Sequence, residues 1–165
     1  MSEESAFSAE GGCACGETRY RLTDRPLFVH CCHCHWCQRE TGAAFALNAL
    51  IETECVETLA ASAVVIEVPS ESGRGQKIHR CAACQVALWS HYSGTGETVA
   101  FIRVGTLDAP GMFPPDINIY TASKQPWVSI NHEIPAVSAY YRRSEYWPED
   151  SIERLRLARE HAAAG

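Results

Sequence analysis

The chain has 165 residues, with 20 acidic side chains against 14 Lys and Arg, so its formal net charge is −6. This length favours a single domain, and the negative charge argues against nonspecific binding to nucleic acid or anionic lipid, which are both polyanions. No apolar run approaches the roughly 20 residues that span a bilayer. The opening residues also lack the basic and apolar regions of a signal peptide. We therefore expect a soluble cytoplasmic protein without nucleic-acid or membrane partners.

Short β-prone runs separated by turn residues predict a mainly β chain. The predicted strands are 18–22, 26–31, 45–52, 63–68, 77–80, 87–92 and 98–104. The predicted organisation is a small, polar, disordered tail over residues 1–10, one domain over 11–147 and a C-terminal helix or tail over 148–165.

The last segment carries the signals of a short helix. Asp150, followed three residues later by Glu153, resembles a capping box at its start. Ile152, Leu155 and Ala158 then follow the helical period and predict a narrow apolar stripe.

Nine cysteines are the most informative residues of the chain. An odd count without a secretion signal argues against a disulfide framework. Many of the cysteines stand two or three positions apart, in the pairs Cys13/Cys15, Cys31/Cys34, Cys32/Cys34, Cys34/Cys37 and Cys81/Cys84. Such spacings let two thiolates bind one ion, so they indicate zinc sites.

The cysteines divide most economically into four and three. Cys13, Cys15, Cys81 and Cys84 can close one tetrahedral site, whereas Cys32, Cys34 and Cys37 have no obvious fourth partner. Four protein ligands are typical of a structural zinc, and three leave a position open for water or substrate. The spacing alone also allows Cys13 and Cys15 to join Cys34 and Cys37.

The remaining histidines and cysteines allow one further alternative and one further prediction. His33, His35 or His91 could complete the group of three and make it a second closed, structural site. Cys31 and Cys55 are predicted to be small packing residues.

Several motifs together resemble those of the glutathione-dependent formaldehyde-activating (GFA) family. They are G-G-C-A-C-G at 11–16, C-H-C-H-W-C-Q-R-E-T-G at 32–42, C-A-A-C at 81–84, G-T-L-D at 105–108 and S-K with a following Trp at 123–127. The chain departs from the family pattern at Gln38, where the first of two arginines is usual, and at Gln85, where glycine is usual. It also departs over residues 116–119, where many members carry a histidine.

The resemblance implies a β-tent, a mainly β fold of small antiparallel sheets, with a short C-terminal helix. In this family one structural zinc is held by the residues that correspond to Cys13, Cys15, Cys81 and Cys84. A second, catalytic zinc is held by those corresponding to Cys32, Cys34 and Cys37. The resemblance thus assigns the two zinc sites to the same two groups of cysteines that the count of ligands favours.

The resemblance also implies an activity. A carbon–sulfur lyase of this type condenses glutathione, as thiol co-substrate, with formaldehyde or a related aldehyde to give S-hydroxymethylglutathione. Because glutathione is an anion, cations near the motifs are candidates to bind its carboxylates, and these are Arg39, Arg103 and Lys124. The alternative hypothesis is a zinc-stabilised interaction module with two structural metals and no catalytic activity.

Overall fold

The computed structural model describes residues 7–165, in which ten strands and three helices are found. The strands are β1 (Ala9–Gly12), β2 (Arg19–Leu22), β3 (Phe28–Cys32), β4 (Ala46–Glu52), β5 (Val56–Thr58), β6 (Val64–Val68), β7 (Gln76–Arg80), β8 (Ala87–Tyr92), β9 (Val99–Arg103) and β10 (Ile117–Ile119). The helices are α1 (His35–Thr41), α2 (Arg143–Tyr146) and α3 (Glu149–Ala164).

The strands form two sheets. A small antiparallel sheet has the order β1-β2-β5, and a larger one has the order β10-β3-β4-β9-β8-β7-β6. All pairs in the larger sheet are antiparallel except β10 with β3, which run parallel. The prediction of a mainly β fold with a C-terminal helix is confirmed.

Each face of the larger sheet covers its own apolar core, because successive side chains of a strand point to opposite faces. On one face, Ala49, Ile51 and Ile102 pack against Tyr20 and Leu22 of the small sheet. Cys13 and Cys81 belong to this core.

The opposite face packs against the C-terminal part of the chain. There Phe28 and Leu50 of the sheet form a core with Trp147 and Leu155. Cys32, Cys34 and Cys37 belong to this second core, so the two cysteine groups lie on opposite sides of the larger sheet.

The C-terminal helix is fixed to the sheet by polar contacts as well as by its buried face. Leu155 and Ala158 are buried, as the predicted stripe requires, but Ile152 is 38% exposed. Ser151 Oγ donates a hydrogen bond to the Leu27 carbonyl oxygen over 2.7 Å, and Arg154 contacts the buried Glu52 with two nitrogens.

The predicted capping box is absent from the start of this helix. Pro148 occupies the N-cap position and supplies no capping side chain, and Asp150 lies inside the first turn. A carboxylate there is still favourable, because it faces the positive end of the helix dipole.

The seven predicted strands lie at or within two residues of β2, β3, β4, β6, β7, β8 and β9, whereas β1, β5 and β10 were not predicted. Residues 1–6 of the predicted tail lie outside the described part of the chain. Ala9 and Glu10, which were assigned to that tail, lie in β1. Glu10 forms an ion pair with Arg21 at 2.7 Å. The first strand therefore begins before residue 11.

Candidate metal centre and its pocket

The first group of cysteines joins two loops that are far apart in sequence. Cys13 and Cys15 follow β1, and Cys81 and Cys84 lie in the turn between β7 and β8. Their four sulfur atoms lie within 4.8 Å of one another. The Sγ atoms of Cys13 and Cys15 are 3.4 Å apart, and those of Cys15 and Cys81 are 3.7 Å apart.

These distances fit a tetrahedral zinc site. With zinc–sulfur bonds of about 2.3 Å, the edge of a regular ZnS₄ tetrahedron is about 3.8 Å. The backbone N–H of Thr18 donates to the Cys13 sulfur over 3.3 Å, as expected for a site that stabilises thiolates. The donor set and its spacing therefore suit zinc.

The second group of cysteines is formed where β3 passes into α1. Cys32 ends the strand, Cys34 is the N-cap of the helix and Cys37 lies in its first turn. The three sulfur atoms lie within 4.8 Å of one another, and all three residues are buried.

The start of α1 favours a thiolate at the cap. The Cys34 sulfur accepts hydrogen bonds from the thiols of Cys32 and Cys37 and from the backbone N–H groups of Cys37 and Trp36. These hydrogen bonds lower the pKa of Cys34 to about 3. The hydrogen bond from the Cys37 N–H measures 3.4 Å. A negatively charged sulfur at this position is thus stabilised mainly by hydrogen bonds from neighbouring thiols and backbone N–H groups.

No histidine or carboxylate from residues 7–165 joins either group of sulfur atoms. His33 Nε2 lies 3.0 Å from Asn118 Oδ1, His35 is exposed, and the Nδ1–H of His91 donates to the Val99 carbonyl oxygen over 3.0 Å. None of these candidates therefore supplies a fourth ligand to Cys32, Cys34 and Cys37.

A cavity of about 410 Å³ opens beside the second cysteine group and is lined by all three of its members. Its floor is the face of the larger sheet, from which successive strands contribute His30 of β3, Asn48 of β4, Phe101 of β9, Tyr92 of β8 and Gln76 of β7. We call this cavity the pocket.

The walls of the pocket are largely aromatic. Trp36 of α1 lines one wall, and Tyr120 and Tyr140 line another. Tyr140 stacks on Tyr141 with ring centroids 4.9 Å apart, and the Tyr141 hydroxyl lies 2.5 Å from His30 Nε2. Burial, with Arg143 adding to it, lowers the pKa of His30 to about 3, so the imidazole is neutral at physiological pH. The walls beside the cysteine sulfurs therefore present mainly aromatic surface.

Three charged side chains reach the pocket, namely Glu71 and Arg74 of the β6–β7 hairpin and Arg143 of α2. None of them forms an ion pair within residues 7–165. The guanidinium of Arg143 lies 5.5 Å from the centre of the Trp147 ring.

The pocket also holds an unpaired acceptor. Gln76 is only 6% exposed, and its Nε2 donates to the Pro69 carbonyl oxygen over 3.3 Å. Its Oε1 is buried and has no hydrogen-bond partner in the described part of the chain. Gln76 thus brings a buried and only partly hydrogen-bonded amide to the lining of the pocket.

The three cations predicted from the motifs are not among the residues that line the pocket. Arg39 is exposed on α1. Arg103 is buried, where it donates to Asn48 Oδ1 and to Ser90 Oγ. Lys124 donates to the Gln125 and Val128 carbonyl oxygens over 3.1 and 2.7 Å.

Arg74 and Arg143 were missed because they lie outside every motif used in the prediction. Arg74 belongs to the turn S-G-R-G at 72–75, and Arg143 follows the last motif by about 16 residues. The local signals that could have drawn notice are a glycine-flanked arginine and an arginine beside two tyrosines.

Two of the departures from the family pattern have structural explanations. Gln38 donates to the His33 and Ser123 carbonyl oxygens over 2.8 and 3.0 Å and so joins α1 to a loop beyond β10. Gln85 has a φ of 64°, in the left-handed region that favours glycine. This backbone conformation explains why glycine is usual at that position.

A mainly β chain with two cysteine groups suited to zinc, one of them opening onto a pocket, defines the class of this protein. The model of the family described as glutathione-dependent formaldehyde-activating enzyme matches residues 8–123, which is more than half of the chain. The chain therefore belongs to the GFA family.

Other comparisons add little to this assignment. No curated protein matches the chain. A crystal structure of a Rhodobacter sphaeroides protein aligns with it at 12% identity and a TM-score of 0.45, covering 78% of this chain and 99% of that one. Within residues 7–165, no helix is both long and apolar enough to cross a membrane.

Proposed function

We propose that the protein is a carbon–sulfur lyase that condenses glutathione with formaldehyde, or a related small aldehyde, to S-hydroxymethylglutathione. The observation that carries the proposal is the difference between the two cysteine groups. Cys32, Cys34 and Cys37 line the pocket, whereas Cys13, Cys15, Cys81 and Cys84 do not.

The proposal assigns one zinc to each group. The four-cysteine group holds a structural zinc with every position filled, and the three-cysteine group holds a catalytic zinc with one position open to the pocket. A zinc ion held there supplies Lewis acidity, which lowers the pKa of a thiol that enters the open position.

The reaction itself asks little of other residues. The thiolate sulfur of glutathione attacks the carbonyl carbon of the aldehyde, a carbon–sulfur bond forms, and the electron pair of the C=O bond moves to oxygen, which takes up a proton. This addition also proceeds without an enzyme, so the chain contributes mainly by placing the two reactants together.

The residues around the pocket suit that positioning role. Trp36, Phe101 and Tyr120 provide apolar surface beside the cysteine sulfurs. The volume of about 410 Å³ exceeds what formaldehyde alone requires and falls in the usual range of small-molecule sites. A cavity of this size suits a tripeptide thiol together with a small aldehyde.

The proposal is tested by measuring zinc content and activity together in the wild type, Cys34→Ser and Cys55→Ser. We expect two zinc ions per chain and accelerated formation of S-hydroxymethylglutathione, followed by NMR exchange spectroscopy, in the wild type. Cys34→Ser should retain one zinc and the native far-UV spectrum but lose the acceleration. Cys55 belongs to neither group, so Cys55→Ser should behave as the wild type.

Two outcomes would contradict the proposal. A wild type with both zinc ions that does not exceed the uncatalysed rate is not this enzyme. Loss of folding in Cys34→Ser would make the three-cysteine group structural and favour the interaction module.

A further inference from the structure

The two ends of the pocket differ in charge. Glu71, Arg74 and Gln76 lie at the end formed by β6, β7 and the turn between them. Arg143 lies at the other end, just after Tyr141, which contacts His30 of β3. In the larger sheet β3 and β7 are separated by β4, β9 and β8.

The hairpin end offers partners for both a cation and an anion. Glu71 and Arg74 are exposed at the rim and form no ion pair with each other or with another residue in the range 7–165. Below them, the buried Oε1 of Gln76 has no donor. An ammonium group beside a carboxylate would pair with both exposed side chains, Glu71 and Arg74.

The opposite end offers a partner for an anion only. Arg143 is the one pocket-lining cation there in the described part of the chain, and its buried Nε has no hydrogen-bond partner. The nearest aromatic support, the Trp147 ring, holds the guanidinium without neutralising it. A carboxylate without an accompanying ammonium fits this environment.

The three cysteines line the same cavity as these charged side chains. Cys32 ends β3, and Glu40 of α1 forms an ion pair with Arg80, which lies at the end of β7 opposite to Gln76. The cysteine group is thus set apart from the hairpin end, and a ligand whose thiol branches from its middle can present that thiol to the cysteines while its two ends face Glu71 and Arg143.

Glutathione has the same distribution of charge. Its γ-glutamyl end carries an α-ammonium and an α-carboxylate, its glycyl end carries a carboxylate alone, and its thiol lies between them. We propose that the pocket binds glutathione in one orientation, with the γ-glutamyl end at Glu71, Arg74 and Gln76 and the glycyl carboxylate at Arg143. This inference rests on the proposed function.

The reverse orientation is less favourable for a physical reason. It would bring the ammonium of the γ-glutamyl group to Arg143 and leave Glu71 beside a carboxylate with no cation of the ligand to offset it. Like charges repel more strongly in a protein cavity than in bulk water.

The test uses two thiols that each lack one end of glutathione. γ-Glutamylcysteine lacks the glycyl end, and cysteinylglycine lacks the γ-glutamyl end. Dissociation constants of all three thiols are measured by calorimetry on the zinc-loaded wild type, Arg143→Met, Arg74→Met and the control Arg142→Met. Arg142 is exposed and does not line the pocket.

Each substitution should weaken the binding of only those thiols that carry the end contacted by the replaced arginine. We expect Arg143→Met to raise the dissociation constants of glutathione and cysteinylglycine about 10-fold or more and to leave γ-glutamylcysteine within about 2-fold. Arg74→Met should weaken the binding of glutathione and γ-glutamylcysteine and leave the binding of cysteinylglycine unchanged. Arg142→Met should leave all three unchanged.

The other outcomes separate this inference from the proposed function. The opposite pattern of losses would show the reverse orientation, and equal losses for all three thiols would show that neither arginine contacts a particular end. Either result overturns the inference while the lyase activity remains. A wild type that binds none of the thiols and accelerates no reaction overturns the proposed function itself.

Discussion

The Tyr141 hydroxyl lies 2.5 Å from His30 Nε2 and accepts a hydrogen bond of 2.7 Å from the indole N–H of Trp147. Because the indole can only donate, the hydroxyl proton is free to be donated to His30. This contact joins a segment beyond the family-matched residues to the strand that ends in Cys32.

Removal of that hydroxyl should destabilise the protein. Tyr141→Phe keeps the aromatic packing but leaves His30 and Trp147 each with a buried nitrogen that has lost its partner. We expect the free energy of unfolding to fall by about 2 kcal/mol, measured by urea denaturation. Tyr120→Phe is the control, since its hydroxyl has no hydrogen-bond partner in residues 7–165; a similar loss there would contradict the assignment.

The attachment of α3 gives a second prediction. Arg154 Nη2 and Nε lie 2.6 and 2.8 Å from the carboxylate oxygens of Glu52, which is only 5% exposed. Arg154→Met leaves this carboxylate buried without a partner and should lower the free energy of unfolding by about 3 kcal/mol. The readout is thermal and urea denaturation.

Arg156 offers a matched control on the same helix. It pairs with Glu153 at 2.7 Å, but both side chains are exposed. Since exposed ion pairs contribute little, Arg156→Met should leave the free energy of unfolding almost unchanged. Equal effects of the two substitutions would mean that burial of Glu52 is not the cause.

The four-cysteine group should be required for folding. Binding of a structural zinc contributes about 10 to 16 kcal/mol, which is comparable to or larger than the whole stability of a typical domain, about 5 to 15 kcal/mol. We expect Cys13→Ser to lose its zinc and its cooperative unfolding transition. Circular dichroism and elemental analysis check this, and a folded Cys13→Ser protein without zinc would refute it.

Acid sensitivity should depend partly on His91. Burial lowers its pKa below the ordinary value of 6.5, so the unfolded chain binds the proton more tightly than the folded one. The resulting stability is fully present above pH 6.5 and is lost as the pH falls below that value.

His91→Asn should reduce this dependence. In the wild type the Val99 carbonyl oxygen accepts the imidazole N–H, and the asparagine amide can donate to the same oxygen. We expect the free energy of unfolding to fall less steeply between about pH 7 and about pH 5 than in the wild type, as measured by urea denaturation. The exposed His161→Asn is the control, and identical slopes in wild type and His91→Asn would refute the prediction.

The grouping of the cysteines could be predicted because short spacings already place two sulfurs together. Cys32, Cys34 and Cys37 are brought together by one strand–helix junction, so little of the fold is needed. Cys13 and Cys81 are far apart in sequence, and spacing alone left another pairing of the cysteines open. The family motifs indicated that these two cysteines belong to one site.

The charged ends of the pocket could not be predicted in the same way. Arg74 and Arg143 are neighbours of the cysteines only because the β6–β7 hairpin and the C-terminal segment both reach the same face of the sheet. The parallel pairing of β10 with β3 is also long-range, and a strand of three residues such as β10 carries too short a pattern to be recognised.

The placement of the pocket's parts along the chain has an evolutionary consequence. All cysteines of both groups fall within the family-matched residues 8–123, whereas Tyr140, Tyr141 and Arg143 come after them. Under the proposed orientation of glutathione, the cysteines and the arginine that binds the glycyl carboxylate are thus encoded in separate stretches of sequence. A substitution at Arg143 would then change which thiol is accepted while the cysteines keep their places, so specificity can diverge among such proteins faster than chemistry.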